Sequence, residues 1–280
     1  MGELGVWWRS THSRVTAVRT VLKPSRRPIV QRRAAVAGGC APTSDSAKGD
    51  LIRLATWNCC RATSASVASA VAALRADLTV LQEARRPASP PPGYLWVGAN
   101  PQNGLAVVPA PGGVVELGPI VSSAPWSIVP LQVVAPIPLH LLMVWTRKEH
   151  GHLEGLASAL TAYGPFLRAA PCVVLGDFNA NAIWDRPNRP LDFSRLARRL
   201  RDEFGLVSAY HARSGESFGT ESQATYYFWR RQSRPFHIDY CFLPAAWLPD
   251  LQGVAILDKP PWDALSDHRP LVIEYRGRAV

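Results

Sequence analysis

A chain of 280 residues, 47% hydrophobic with 25 prolines and 20 glycines, suits a globular protein rich in strands and turns, and a single α/β domain can reach about 250 residues. No apolar run approaches the roughly 18 residues of a membrane span, and five scattered cysteines (Cys40, Cys59, Cys60, Cys172, Cys241) form neither a disulfide framework nor a zinc-ligand spacing. The formal charge of +10 is concentrated in residues 1–50, with nine basic and three acidic groups, so the rest is only mildly basic and bulk charge does not argue for a nucleic-acid partner.

Residues 1–50 are dominated by Arg, Ser, Thr and Pro without sustained periodicity. They read as a disordered basic tail or as the product of a mis-annotated upstream start. Ser25-Arg26-Arg27 is similar to a twin-arginine export signal, and residues 34–40 to a lipoprotein cleavage region. Both need an apolar core of about seven residues, which Arg32 and Arg33 interrupt, while a mitochondrial transit peptide fits on composition alone. Export and organelle targeting therefore rank below the reducing cytoplasm as the expected compartment. The expected domain spans residues 51–280.

Residues 51–57 alternate as a strand ending at Asn58, and 64–75 place Val67, Ala70, Val71 and Leu74 at helical spacing. Residues 78–81 form the next strand, ending near Glu83. This opening predicts a parallel pair with Asn58 and Glu83 side by side at the C-terminal strand ends, where open α/β sheets bind ligands. From 93 to 145, short apolar runs separated by Pro and Gly (94–97, 105–108, 114–117, 128–134, 139–145) predict antiparallel strands. Leu153, Leu156, Leu160 and Tyr163 predict a helix over 152–167. The run Glu149-His150-Gly151-His152-Leu153-Glu154 has metal-binding residue types but lacks the i,i+4 His pair of a zinc-protease helix. It reads as a solvated loop and helix start. Residues 191–204 form an amphipathic helix with Arg195, Arg198, Arg199 and Arg201 toward water, and strands at 206–210, 225–229, 237–243, 254–257 and 271–275 complete the set.

The chemistry concentrates in residues 172–185, CVVLGDFNANAIWD. An apolar run with two valines reads as a buried strand, and Asp177 and Asn179 then place a carboxylate and a carboxamide on the same side of the backbone. Alone, the stretch reads equally well as a strand ending in an Asx-turn. Four further pieces accompany it: Thr56-Trp57-Asn58, Leu81-Gln82-Glu83, Ile238-Asp239-Tyr240 and Ser266-Asp267-His268-Arg269-Pro270. With Gly176-Asp177-Phe178-Asn179, this ordered set resembles the endonuclease/exonuclease/phosphatase superfamily over residues 51–276. The resemblance implies a four-layer α/β/β/α sandwich, two mixed sheets face to face with helices outside, and a metal-dependent phosphoesterase.

Phosphoester cleavage requires neutralised phosphate charge and a water aimed in line with the leaving oxygen. Glu83 is the expected ligand for a magnesium (or manganese) ion, supported by Asp267 and by Asn58 through its amide oxygen. Asp177 is the water-orienting base, and Asn179 donates to the phosphate oxygen as it gains charge. His268 acts as an imidazolium at the phosphate, with Asp239 on its far ring nitrogen. Where nucleases of the superfamily carry a Tyr or His at the end of a central strand, this chain has Trp145, which cannot ionise. Arg147 or Lys148 is expected to contact the phosphate, with Trp145 beside them as a further substrate-binding residue, and Trp184 to pack the wall of the site. The leading substrate is a nucleic-acid phosphodiester, followed by a small phosphorylated metabolite or lipid headgroup. A catalytically inactive binding module fares worse, because all five motifs keep their chemical residues.

Overall fold

The computed structural model describes residues 29–32 and 50–277. In chain order its first strands are β1 (Ile29–Arg32), β2 (Leu51–Asn58), β3 (Leu78–Ala84), β4 (Leu95–Asn100), β5 (Asn103–Pro109), β6 (Val114–Leu117), β7 (Ile128–Ala135) and β8 (Leu139–Trp145). They are followed by β9 (Cys172–Asp177), β10 (Leu206–Ser208), β11 (Tyr226–Tyr227), β12 (Pro235–Phe236), β13 (Asp239–Pro244), β14 (Leu251–Ile256) and β15 (Leu271–Arg276). The helices are α1 (Ser64–Leu74), α2 (His152–Ala162), α3 (Gly164–Arg168), α4 (Phe193–Phe204), α5 (Ala209–Ser214) and α6 (Trp262–Leu265).

One sheet runs β1-β4-β5-β3-β2-β15-β14 and the other β10-β13-β9-β8-β7-β6, with β11 and β12 forming a small ribbon. Each sheet is antiparallel except for one central parallel pair, β2·β3 in the first and β8·β9 in the second. Such pairs need a crossover connection, which α1 supplies in the first sheet and α2 with α3 in the second.

Period-two alternation sorts the side chains into layers. Leu54, Val80 and Leu105 of the first sheet meet Leu141, Val173 and Leu175 of the second in one inter-sheet core. Trp57, Leu81 and Trp96 face outward, where Ala70 and Leu74 of α1 cover them. On the opposite side Leu142, Val174 and Phe242 are covered by Leu156 and Leu160 of α2 and by Phe193, Leu196 and Leu200 of α4. The four-layer sandwich implied by the motifs is therefore the fold. Local signals set the helix ends. Asp192 accepts from the backbone N–H of Arg195 at the start of α4, and Gly205 closes it in the left-handed conformation. No helix among the described residues is long and apolar enough to cross a membrane.

The structure departs from the sequence reading in four places. The helix expected over 152–167 is two, because Gly164-Pro165 opens α3 and a proline in a helix interior removes a hydrogen bond. The strand expected over 206–210 ends at Ser208 and continues as α5. Of 225–229 only Tyr226–Tyr227 is strand, followed by a 3₁₀ turn in which Trp229 has φ 55°. Finally, Ile29–Arg32 pairs antiparallel with β4, so the first sheet reaches back before residue 51. A four-residue strand whose partner lies more than sixty residues along the chain leaves no local pattern. The rest of the basic segment lies outside the described residues.

Gly176 shows how tightly the central parallel pair is built. Its φ is 149°, and a Cβ there would sit 1.9 Å from the Val144 carbonyl oxygen on β8. Gly176→Ala is expected to destabilise the fold by about 3 kcal/mol, at the upper end of overpacking costs, with urea denaturation as the measurement.

Candidate active site

The same alternation that builds the inter-sheet core delivers polar groups to its end. Ile52 and Leu54 point between the sheets, so Asn58 follows on that side of β2; Val173 and Leu175 do the same for Asp177, and Cys241 and Leu243 for Asp239. The β9·β13 register sets Asp239 directly opposite Asp177, and the β8·β9 register sets Trp145 beside Asp177.

Glu83 reaches the site by a different route. Strict alternation would send it outward with Leu81. Instead the β3·β5 register shifts between Leu81 and Ala84, Glu83 adopts φ 53°, and Ala84 rejoins Leu81 in the outer core. This bulge turns the carboxylate toward Asn58, whose Nδ2 lies 3.4 Å from Glu83 Oε1.

The loop after α6 is tied onto the end of β2. Ser266 Oγ donates to the Asn58 carbonyl at 2.7 Å and accepts from the His268 backbone N–H at 3.0 Å, while Trp57 Nε1 donates to the His268 carbonyl at 3.3 Å. The imidazole is thereby held between two carboxylates, with Nδ1 2.9 Å from Asp239 Oδ2 and Nε2 4.0 Å from Asp177 Oδ2. Asp177 accepts from Asn58 Nδ2 at 3.0 Å, from the Asn179 backbone N–H at 2.8 Å and from Asn179 Nδ2 at 2.9 Å. All three ionisable groups are buried. Burial raises the Asp177 carboxyl above its ordinary range, although the positive His268 beside it works the other way. Burial alone would lower the His268 imidazole, but Asp239 and Asp177 outweigh it and hold the ring protonated through neutral pH.

Two groupings could hold a cation. The ligand atoms of Asp177, Asp239 and His268 lie within 4.8 Å of one another. That trio, however, already carries its own cation in the imidazolium. At the mouth, Glu83 is a quarter exposed and has the exposed Arg61 and the Asn58 amide each at 3.4 Å, and Asp267 lies close enough to raise the Cys60 thiol jointly with it, after burial itself. Two carboxylates with room beside them and hard oxygen donors fit magnesium or manganese, so the fit favours Glu83 and Asp267.

The other expected residues are arranged differently from the sequence reading. The amide oxygen of Asn58 accepts from the Cys60 backbone N–H at 3.0 Å, and its NH2 faces both carboxylates. Asn179, at φ 46°, spends its NH2 on Asp177 and on the Thr146 carbonyl at 3.2 Å. Trp145 is only 4% exposed and packs edge-on against Trp126, so its expected substrate contact is not on offer. Arg147 lies 4.2 Å over the Trp145 ring and is bonded through two nitrogens to Glu149, whereas Lys148 is exposed.

Several contributors carried no sequence signal. Thr225 Oγ1 accepts from the backbone N–H groups of both Ile238 and Asp239, fixing the start of β13. Tyr226 packs its ring 4.6 Å from that of His268. Behind the central motif, Asn181 donates to Glu221 and to the His237 carbonyl, and Glu221 also meets His211 at 3.1 Å and the Gly219 N–H at 3.0 Å. Of these, Asn181 alone falls within the stretch 172–185 where the sequence concentrates its chemistry.

The family model described as Endonuclease/Exonuclease/phosphatase family matches residues 55–268. The chain belongs to this family. The Neisseria 3′ phosphatase NExo bound to a product DNA hairpin is similar in structure, with 19% identity and a TM-score of 0.59 over 80% of this chain and 99% of that one. An AP endonuclease from Archaeoglobus fulgidus has 16% identity and a TM-score of 0.57 over 81% of this chain and 100% of its own. The endonuclease domain of TRAS1, a telomere-specific non-LTR retrotransposon, has 16% identity and a TM-score of 0.54 over 81% and 99%. At these identities the likeness speaks for the fold. No curated protein sequence matches the chain.

Two measurements follow from this geometry. If Asp239 acts only through His268, the double variant Asp239→Asn/His268→Ala should lose little more kcat than the poorer single variant; additive losses would separate the two residues. Burial alone would raise the Glu221 carboxyl, but its bonds to His211, Gly219 and Asn181 bring it down to about 2 from 4.5. The folded value lies below the unfolded one, so the stability it adds is present above about pH 4.5 and is lost as pH falls toward 2. Glu221→Gln should flatten the acid side of a urea-midpoint profile between those values.

Proposed function

We propose that the chain is a metal-dependent phosphoesterase that cleaves phosphodiester bonds in nucleic acid. The observation that carries this reading is the placement of a buried carboxylate and a buried imidazolium 4.0 Å apart, with two further carboxylates at the mouth. Asp177 is held in one orientation by three donors and, with its raised pKa, orients a water and takes up its proton near neutral pH. His268 presents its Nε2 proton to the phosphate, since Nδ1 is engaged by Asp239 and the gap to Asp177 is beyond hydrogen-bond reach. Asn179 first fixes Asp177; its longer bond, to Thr146, is the one exchanged for a phosphate oxygen as charge develops there. A magnesium or manganese ion, held by Glu83 and Asp267 beside Asn58, would neutralise phosphate charge. Arg147 and Lys148 border the site from the end of β8, and Lys148 is the freer of the two to meet a neighbouring phosphate.

The nucleic-acid assignment is supported by the kinds of enzyme that share the fold, a DNA-bound 3′ phosphatase and endonucleases among them. A panel of plasmid DNA, single-stranded DNA, RNA and phosphomonoesters, each with magnesium and with EDTA, tests it. Glu83→Ala should lower kcat on the preferred substrate by at least about a hundredfold with the thermal transition retained. Full activity in EDTA would remove the metal from the mechanism, and turnover of monoesters alone would move the substrate to small phosphorylated compounds. Absence of turnover on every substrate would leave a binding module.

A further inference from the structure

Thr146 stands one residue past the end of β8 and is 2% exposed. Its backbone N–H donates to the Asp177 carbonyl at 3.0 Å, carrying the β8·β9 pairing one step beyond the strands. Leu142 and Val144 of β8 face the helices, so alternation directs the Thr146 side chain behind the site, not into it. There its hydroxyl donates to the carbonyl of Phe178. That carbonyl belongs to the peptide group through which the chain enters Asn179.

Asn179 has φ 46°, a left-handed conformation that Asn tolerates better than most residues but still at a cost. The site requires this turn, because Asn179 bonds Asp177 through its backbone N–H at 2.8 Å and its Nδ2 at 2.9 Å. Phe178 is pinned on either side, its N–H donating to the Ile238 carbonyl at 2.9 Å and its carbonyl taking the Thr146 hydroxyl. The Thr146 carbonyl also accepts from Asn179 Nδ2 at 3.2 Å. One residue therefore holds both the backbone that enters Asn179 and the carboxamide that leaves it. A hydroxyl has a single proton, and Phe178 takes it. The Thr146 oxygen is thus an acceptor toward His152 Nδ1, 3.2 Å away on the first residue of α2. The imidazole is half-buried there and also bonds the Thr146 backbone.

Resting on the phosphoesterase reading, we propose that Thr146, its hydroxyl aimed by His152, is a positioning residue that sets Asn179 for catalysis. Thr146 does not itself meet the phosphate. Its hydroxyl keeps the left-handed turn in place while the Asn179 carboxamide exchanges the Thr146 carbonyl for a phosphate oxygen. Without that grip the peptide group before Asn179 can rotate, and the donor is misaligned when charge develops on the phosphate. The contact is made in the transition state, so the loss falls on kcat and not on KM.

Thr146→Val exchanges the hydroxyl for a methyl of similar shape, whereas Thr146→Ser keeps the hydroxyl and drops the methyl. In magnesium-dependent hydrolysis of bis(p-nitrophenyl) phosphate by the full chain, Thr146→Val should lose about tenfold or more in kcat, with KM within about twofold. Thr146→Ser should keep kcat within about threefold. His152→Leu should lose about threefold or more, and His152→Asn, which retains a donor near Nδ1, should recover most of it. Thermal melts verify the folding of each variant, and the His152 pair carries the kinetic test on its own if Thr146→Val does not fold. In EDTA and without substrate, the NMR resonances of the Asn179 carboxamide, assigned by their loss in Asn179→Asp, should move in Thr146→Val and stay in Thr146→Ser. An unchanged kcat in Thr146→Val and His152→Leu, an equal loss in Thr146→Ser, a loss confined to KM, or unmoved Asn179 resonances overturns the proposal. Failure of the unaltered chain to hydrolyse the diester overturns the phosphoesterase reading instead, while the resonances still decide whether Thr146 holds Asn179.

Discussion

Asp177 and Asp239 oppose each other across an antiparallel ladder in a layer from which water is excluded, and the imidazolium of His268 is what makes that arrangement tenable. Two like charges in such surroundings repel strongly, and removing one partner from a buried ionic group commonly costs about 3–5 kcal/mol. Much of the nearby polar structure serves to keep the ring in place. Ser266 and Trp57 fix the backbone of His268, and Arg269 packs behind it with its guanidinium bonded to Asp258 and to the Ser266 carbonyl. Arg269 also stacks 4.6 Å from the Tyr227 ring, and its backbone N–H bonds the carbonyl of Thr225, the residue that anchors the start of β13. The arginine of the last motif is thus a brace, not a phosphate contact.

The site straddles the two sheets. Asn58 and Glu83 ride on the first, Asp177 and Asp239 on the second, and His268 comes from the loop that enters β15 of the first. No single strand carries a complete set of chemical groups. Their separation is set by the hydrophobic side chains between the sheets, including Leu54, Val80, Val173, Leu175 and Cys241. Interiors are close-packed and transmit strain, so substitutions in this layer, well away from the mouth, act on the alignment of the site as well as on stability.

The layered fold was legible through the family resemblance that the five ordered motifs carry, and the placing of the polar groups at strand ends through period two. Apolar runs that end in Asn58, Asp177 or Asp239 state which face each side chain shares with the residues before it, and the strand–helix–strand opening brings Asn58 and Glu83 together. What was not legible depends on partners distant in sequence. The bulge that rotates Glu83 is a property of the pairing with β5, and Asn179's commitment to Thr146 depends on β8 lying alongside. Arg147 looked free beside Lys148, yet Glu149 and two tryptophans hold it. The Asn181–Glu221–His211 network joins three segments whose spacing says nothing about contact. The break between α2 and α3, by contrast, was written in Pro165 and passed over in favour of the leucine spacing.

The strand Ile29–Arg32 gives the first sheet a different kind of protection. On its other side β4 is already bonded to β5, so β1 occupies the one row of backbone donors and acceptors that β4 would otherwise leave open. An unpaired, largely buried-type strand such as Leu95–Asn100 is a template on which further chains can add. Pairing with Ile29–Arg32 therefore satisfies those backbone groups within the chain, and the four-residue β1 takes the place of β4 as the edge of the sheet.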